Sequence, residues 1–188
     1  VRDAIEGLLY RGGRLVSNDP GLIFLWIPKT AGTSLFEALR SSLGMKMYKR
    51  AHRLPRIRSL GFYTFCHLHY PSLREMRVIS QPVHQHSLKF AVTRNPYRRA
   101  VSLYFYLLRP RLSEASGAEF NSFLKDVMTW RPSVGVYNHV GLMHANPQVD
   151  WLIGENGLVV DKLFDVDALD DCLDAIQNHA GRPIATPA

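Results

Sequence analysis

Residues 22–34 read Leu-Ile-Phe-Leu-Trp-Ile-Pro-Lys-Thr-Ala-Gly-Thr-Ser, an apolar run set directly against a short loop carrying one lysine, one glycine and three hydroxyl side chains. Leu22 to Ile27 has the character of a buried strand. Ser34-Leu-Phe-Glu-Ala-Leu-Arg after the loop reads as the first turns of an amphipathic helix with Leu35, Ala38 and Leu39 on one face. The loop therefore stands at a helix N-terminus, where unpaired backbone N–H groups and the positive end of the helix dipole converge. Gly32 permits close backbone approach, Thr30, Thr33 and Ser34 bring hydroxyl donors, and Lys29 brings a full charge. This junction is suited to an anion.

The nucleotide-binding loop G-x-x-x-x-G-K-[ST] is the natural comparison, and the differences are informative. Lys29 precedes Gly32 instead of following it, and no Gly-Lys-Ser or Gly-Lys-Thr occurs in the chain. No strand ending in an acidic residue stands out as a magnesium-holding partner. A loop with its own lysine and no evident metal ligands suits a phosphosulfate, which carries less charge than a triphosphate.

A second apolar run, Leu88 to Thr93, ends in Arg94-Asn-Pro-Tyr-Arg-Arg-Ala-Val-Ser102. Pro96 fits a first helical turn, which puts Arg94 at the strand end and Ser102 about two turns into the helix. Such a pair can hold one phosphate from two sides, by a forked charge-assisted contact and a single hydroxyl bond. Tyr97, Val101, Tyr104 and Leu108 recur at helical spacing and read as the core face, while at least one of Arg98 and Arg99 reads as solvated.

With both segments in view, the chain resembles the PAPS-dependent sulfotransferases. Pro28-Lys29-Thr30-Ala31-Gly32-Thr33-Ser34 is similar to their 5′-phosphosulfate loop, and Arg94 to Ser102 to their 3′-phosphate motif. The wording of both is nearest to the carbohydrate branch that includes heparan sulfate 2-O-sulfotransferases and many bacterial relatives. A weaker likeness extends to His144-Ala-Asn-Pro-Gln148 and to Leu158–Leu169, so the resemblance spans roughly residues 22–175. It implies a three-layer, P-loop-like α/β fold with a central parallel sheet flanked by helices, in one domain over residues 1–188.

The resemblance also implies chemistry: in-line transfer of a sulfuryl group from 3′-phosphoadenosine 5′-phosphosulfate (PAPS) to an acceptor hydroxyl, on a carbohydrate by preference, leaving PAP and needing no metal. Lys29 and the loop N–H groups of residues 28–34 would hold the 5′ side, and Arg94 with Ser102 the 3′-phosphate. Relatives carry Gly-His-x-x-Tyr between the two motifs, with the histidine as base. That pattern falls on Cys66-His67-Leu68-His69-Tyr70, with cysteine for glycine, so His67 is the first choice. His67 and His69 would share one side of a continuing strand, which keeps His69 as a substitute.

The alternation of apolar runs and helical patterns predicts strands 22–27, 62–66, 88–93 and 162–166, with helices 33–43, 71–77, 96–108, 117–128 and about 168–179. Residues 130–146 read as a long loop that could wall an acceptor site, His84 and His86 as part of a polar loop, and 181–188 as a tail without clear structure. The weaker likeness brings His144 and Gln148 to the border of the site. Relatives that continue further leave open that an acceptor site is completed by another subunit.

The 188 residues are 46% hydrophobic, enough for a sizeable core, and contain no 18-residue apolar run. A first residue of valine suggests processing or trimming. Two cysteines give no disulfide framework and favour a reducing cytoplasm, with a Golgi lumen as the alternative if an anchor has been removed. The net charge of +7 gathers in Lys46, Lys49, Arg50, Arg53, Arg56 and Arg58, with His52 among them. A solvated basic loop and a groove for an acidic acceptor are both consistent with it; nucleic acid is disfavoured, since no binding module or stacking pattern accompanies the charge. Two rival functions stay open, a magnesium-nucleotide kinase and a non-catalytic module that binds PAP or a glycan.

Overall fold

A computed structural model describes residues 20–49, 54–109, 115–128 and 142–185. Its centre is a five-stranded parallel sheet. In chain order the elements are β1 (Gly21–Leu25), α1 (Gly32–Leu43), β2 (Lys46–Met47), β3 (Phe62–Thr64), α2 (Tyr70–Glu75), α3 (Gln81–His86), β4 (Ser87–Thr93), α4 (Pro96–Leu108) and α5 (Gly117–Met128). A 3-10 turn (Gln148–Trp151), a two-residue hairpin of β5 (Ile153–Gly154) and β6 (Gly157–Leu158), β7 (Lys162–Asp165), a second 3-10 turn and α6 (Leu169–Ala180) follow. The sheet order is β2-β3-β1-β4-β7, with β1 between β3 and β4.

Both faces of β1 are covered, which is why its residues form an unbroken apolar run instead of alternating with polar ones. Leu22 and Phe24 pack with Leu35, Leu39, Phe90, Val92 and Ile176 on the side of α1 and α6. Ile23 and Leu25 point the other way, into Tyr63, Tyr70, Leu73, Val83 and Ala91 on the side of α2 and α3. The two-residue period of the strand thus divides one run between two cores and produces three layers. A third cluster joins α4 to α5 through Leu103, Tyr104 and Phe123.

Several expectations are corrected. The strand at 62–66 stops at Thr64, because Cys66 adopts a left-handed backbone with φ of 50° and turns the chain. His67 and His69 therefore share no strand face. His84 and His86 lie in α3 rather than in a polar loop, and the Tyr70 hydroxyl is 2.9 Å from His84 Nδ1. On α4 the inward residues are Arg99, Leu103 and Tyr104; Tyr97 is 81% and Leu108 58% exposed, and Val101 is exposed too. Arg98 is solvated and pairs with Asp167, but Arg99 is buried.

The start of the tail is tied down: Ile184 N–H donates to Gln177 Oε1 and Ala185 N–H to Ser42 Oγ. The edge strand β2 and the β5–β6 hairpin, two residues per strand, are too short to show a period. Of the basic stretch, Lys46, Lys49, Arg56 and Arg58 are exposed, while Arg50, His52 and Arg53 lie outside the described residues. Cys66 and Cys172 are free thiols. Among the described residues no helix is long and apolar enough to cross a membrane.

Candidate functional site

Adjacent parallel strands deliver their outgoing loops to one edge, so β3, β1 and β4 bring three segments together at their carboxyl ends. There lies a cleft of about 270 Å³. Its walls include Pro28, Lys29, Ala31, Gly32, Thr33 and Ser34 from the loop after β1, and His67 from the turn after β3. Arg94 at the end of β4, Ser102 and Tyr106 on α4, and Trp26 and His144 complete it.

The loop after β1 is shaped for an anion by its backbone. Lys29 and Ala31 both have left-handed φ, of 69° and 59°, and flank Thr30, an alternation that turns successive N–H groups toward one concavity. Ala31 is the N-cap of α1 and supplies no side-chain cap, and no acidic residue stands in the first turn. The helix therefore keeps its N-terminal donors and dipole for what lies beyond it. Thr30 does not line the cleft; it is wholly buried and its hydroxyl donates to Ile27 O at 3.0 Å, holding the turn instead of facing outward. Gly32 is needed for a close approach different from the expected one: a Cβ there would sit 1.9 Å from Trp26 Nε1, so the indole rests against this glycine.

Lys29 Nζ lies 4.2 Å from the centre of the Tyr106 ring, a cation–π contact. Partial burial, and then the nearby Arg94 charge, lower its pKa from the ordinary lysine value. Two cations facing one cleft, with no acid among the described residues that line it, leave a positive field for a ligand to neutralise. Arg94 is held by its backbone: its N–H donates to Gln148 Oε1 at 2.9 Å, and Gln148 Nε2 donates back to Arg94 O at 2.8 Å. Its Nε is buried without a hydrogen-bond partner, a donor whose cost an incoming anion would remove.

His67 and His69 have separate surroundings. The ring of His67 meets Trp26 edge-on at 5.3 Å, and its Nδ1 donates to Trp26 O at 2.9 Å. That bond selects the neutral tautomer whose lone pair is on Nε2. Burial, outweighing the raising effect of the Trp26 bond and aided by the charges of Lys29, Lys49 and Arg99, lowers the His67 pKa to about 4. The ring is neutral at neutral pH. His69 sits at the N-cap of α2 with Nδ1 2.8 Å from Ser72 Oγ, and it is not part of the cleft wall.

His144, which the weaker likeness put at the border of the site, completes the wall together with Trp26 and Tyr106, which the sequence did not single out. His144 is 7% exposed and lies between His67 and Tyr106, with ring centres 6.1 and 5.0 Å away. Trp26, read as part of a strand, turns its indole into the cleft. Tyr106 joins the expected Ser102 in a stripe on α4 with Arg99, at spacings of three and four, and a count of apolar positions alone passes Tyr106 over. Among the described residues no group of three or more histidine, cysteine or carboxylate side chains is placed to hold a metal ion.

Residues 14–156 match the sequence model of the family described as "Sulfotransferase family". Among solved structures, that of mouse sulfotransferase SULT7A1 complexed with PAP is similar, with a TM-score of 0.48 and 16% sequence identity. The alignment covers 89% of this chain and 60% of that one, so the chain spans about three fifths of that enzyme's length. No curated protein matches.

Proposed function

The chain belongs to the sulfotransferase family, and on that premise we propose that it moves a sulfuryl group from PAPS to an acceptor hydroxyl. The observation that carries this reading is the convergence of an uncapped anion loop, Lys29, Arg94 with Ser102 and a neutral His67 on one cleft. In the reaction the sulfur–oxygen bond to the 5′-phosphate breaks as the bond to the acceptor oxygen forms, and PAP leaves. His67 Nε2 takes the acceptor proton; its Nδ1–H stays on Trp26 O, which keeps the ring oriented. Lys29 and the loop N–H groups balance charge that builds on the departing phosphate, and Arg94 with Ser102 holds the 3′-phosphate. Because anion holding and proton removal fall to different residues, losses in donor affinity and in turnover should separate.

The likeness of both anion motifs to the carbohydrate branch supports a sugar hydroxyl as acceptor. The test is transfer of labelled sulfate from PAPS to a panel of sugar, phenol, lipid and peptide acceptors. Lys29→Ala and His67→Ala should each lower turnover by about two orders of magnitude or more. His67→Ala should leave PAP affinity within a few-fold, whereas Lys29→Ala should weaken it. Wild-type turnover in both variants would overturn the roles given to Lys29 and His67, and stabilisation by magnesium-ATP but not by PAP would replace this reading with a kinase. PAP binding without transfer to any acceptor would leave a binding module.

A further inference from the structure

We propose that Arg99 is a positioning residue that couples the two anion-holding motifs, bracing the loop of residues 28–34 against the segment that clamps Arg94. The proposal rests on the reading of the cleft as the donor site. Arg99 is 5% exposed, yet its guanidinium faces backbone carbonyls on three sides. Nε donates to Pro28 O at 3.0 Å, Nη1 to Asn146 O at 3.0 Å and Nη2 to His144 O at 2.6 Å.

A buried charge without a carboxylate is costly, and a helix that needed only packing here would be better served by leucine. What the arginine supplies is reach. Proline has no N–H, so the backbone of Pro28 can be held only through its carbonyl, the group that joins it to Lys29. Fixing that carbonyl sets the entry to Lys29, where the left-handed alternation of the loop begins. The other two bonds fix the turn of residues 144–146, which begins at His144 in the cleft wall. Within that segment Asn146 Oδ1 accepts from Met143 N–H and its Nδ2 donates to Asp150, and Gln148 then closes on the backbone of Arg94.

Arg94 and Arg99 lie on either side of the β4–α4 junction, so the contacts close into a ring. It runs from Arg99 through residues 144–148 to Arg94 and back along the chain to Arg99, and Pro28 is tied to it through Arg99. A displacement at either end of the donor is felt at the other. Burial lowers the Arg99 pKa to about 10, which leaves it charged at neutral pH and adds a cation behind the loop that no ligand needs to touch. Lysine would keep that charge but not the planar fork that serves three carbonyls at once.

Arg99→Lys, Gln148→Ala and the double variant, with Leu103→Ala as a packing control on the same helix, decide the matter. Two measurements are made: calorimetric titration with PAP, and amide hydrogen exchange without ligand. Arg99→Lys should weaken PAP binding about tenfold or more and speed exchange in both 29–34 and 144–150. The double variant should lose less than the product of the two single losses, because both cut one ring. Leu103→Ala should lower the melting temperature and leave PAP affinity unchanged. Wild-type PAP affinity in a folded Arg99→Lys protein, multiplicative losses, or exchange confined to α4 would overturn the brace. If the wild type binds no PAP, the donor reading fails while exchange still decides the brace. If Arg99→Lys does not fold, Gln148→Ala must by itself speed exchange at 29–34, and a change limited to Arg94 and its neighbours refutes the coupling.

Discussion

His67 shows how much one side chain owes to its burial. A solvent-exposed imidazole would be partly charged near pH 6.5, and the charged fraction could accept no proton, whereas this one is held neutral down to about pH 4. In the free protein its ring resonances, followed by NMR, should stay in the neutral form from pH 8 to about 5. Bound PAP should move the titration upward, because phosphates favour the imidazolium; a midpoint near 6.5 in the free protein contradicts the buried placement. The linkage has a definite sign. The folded pKa lies below the unfolded one, so this group's contribution to stability is complete above pH 6.5 and fades as pH falls toward 4. Cys66, one residue earlier, holds a left-handed φ of 50° where the related motif has glycine, and burial raises its thiol pKa. Cys66→Gly should therefore leave stability to chemical denaturation equal or raise it by up to about 1 kcal/mol. Cys66→Val should lower it by about 1–2 kcal/mol, since a β-branched side chain resists that backbone. Equal effects from the two would show that the turn carries no strain.

The two helices that open on the cleft are terminated by opposite means. Helix α1 begins at Ala31 without a side-chain cap, which leaves its N-terminal donors directed at the cleft. Helix α4 begins at Asn95, whose Oδ1 accepts from both Tyr97 N–H and Arg98 N–H. Asn95→Ala should cost about 1 kcal/mol in a denaturation curve, the usual value of such a cap, and weaken donor binding only slightly. A loss of several kcal/mol would mean that the β4–α4 corner depends on Asn95 for more than capping. The strand-to-helix switch at both corners was legible in the sequence, because an apolar run against Pro-Lys or Arg-Asn-Pro is a local signal. The orientation of α4 was not. Its apolar positions, Tyr97, Val101, Tyr104 and Leu108, suggested one buried face, but the helix lies with Arg99 and Leu103 inward and Tyr97 exposed. A buried arginine satisfied by carbonyls is invisible to any count of apolar residues.

At the scale of the molecule, stability is concentrated in the sheet and its two cores, and the cleft is mounted on their edge. Phe90 is fully buried on β4 and stacks on Phe24 with ring centres 5.0 Å apart. Phe90→Ala should cost about 3–5 kcal/mol, while Tyr97→Ala, at an 81% exposed position, should change stability by less than about 0.5 kcal/mol. Comparable losses from both would mean that the Tyr97 face of α4 is covered in solution. By itself the sequence determined the alternation of strands and helices behind the parallel sheet and the placing of Pro28–Ser34 and Arg94–Ser102 at the ends of two strands, because each is written in contiguous residues through period, turn chemistry and charge. The tertiary structure decided which neighbours meet across the strands. It brought His67 and not His69 to the cleft, turned the Thr30 hydroxyl inward, and set His144, Tyr106 and Trp26 around the lysine. It also assembled the contacts of Arg99 with Pro28, His144 and Asn146. Those adjacencies depend on strand order and on where a left-handed residue ends a strand, and packing between distant segments settles both.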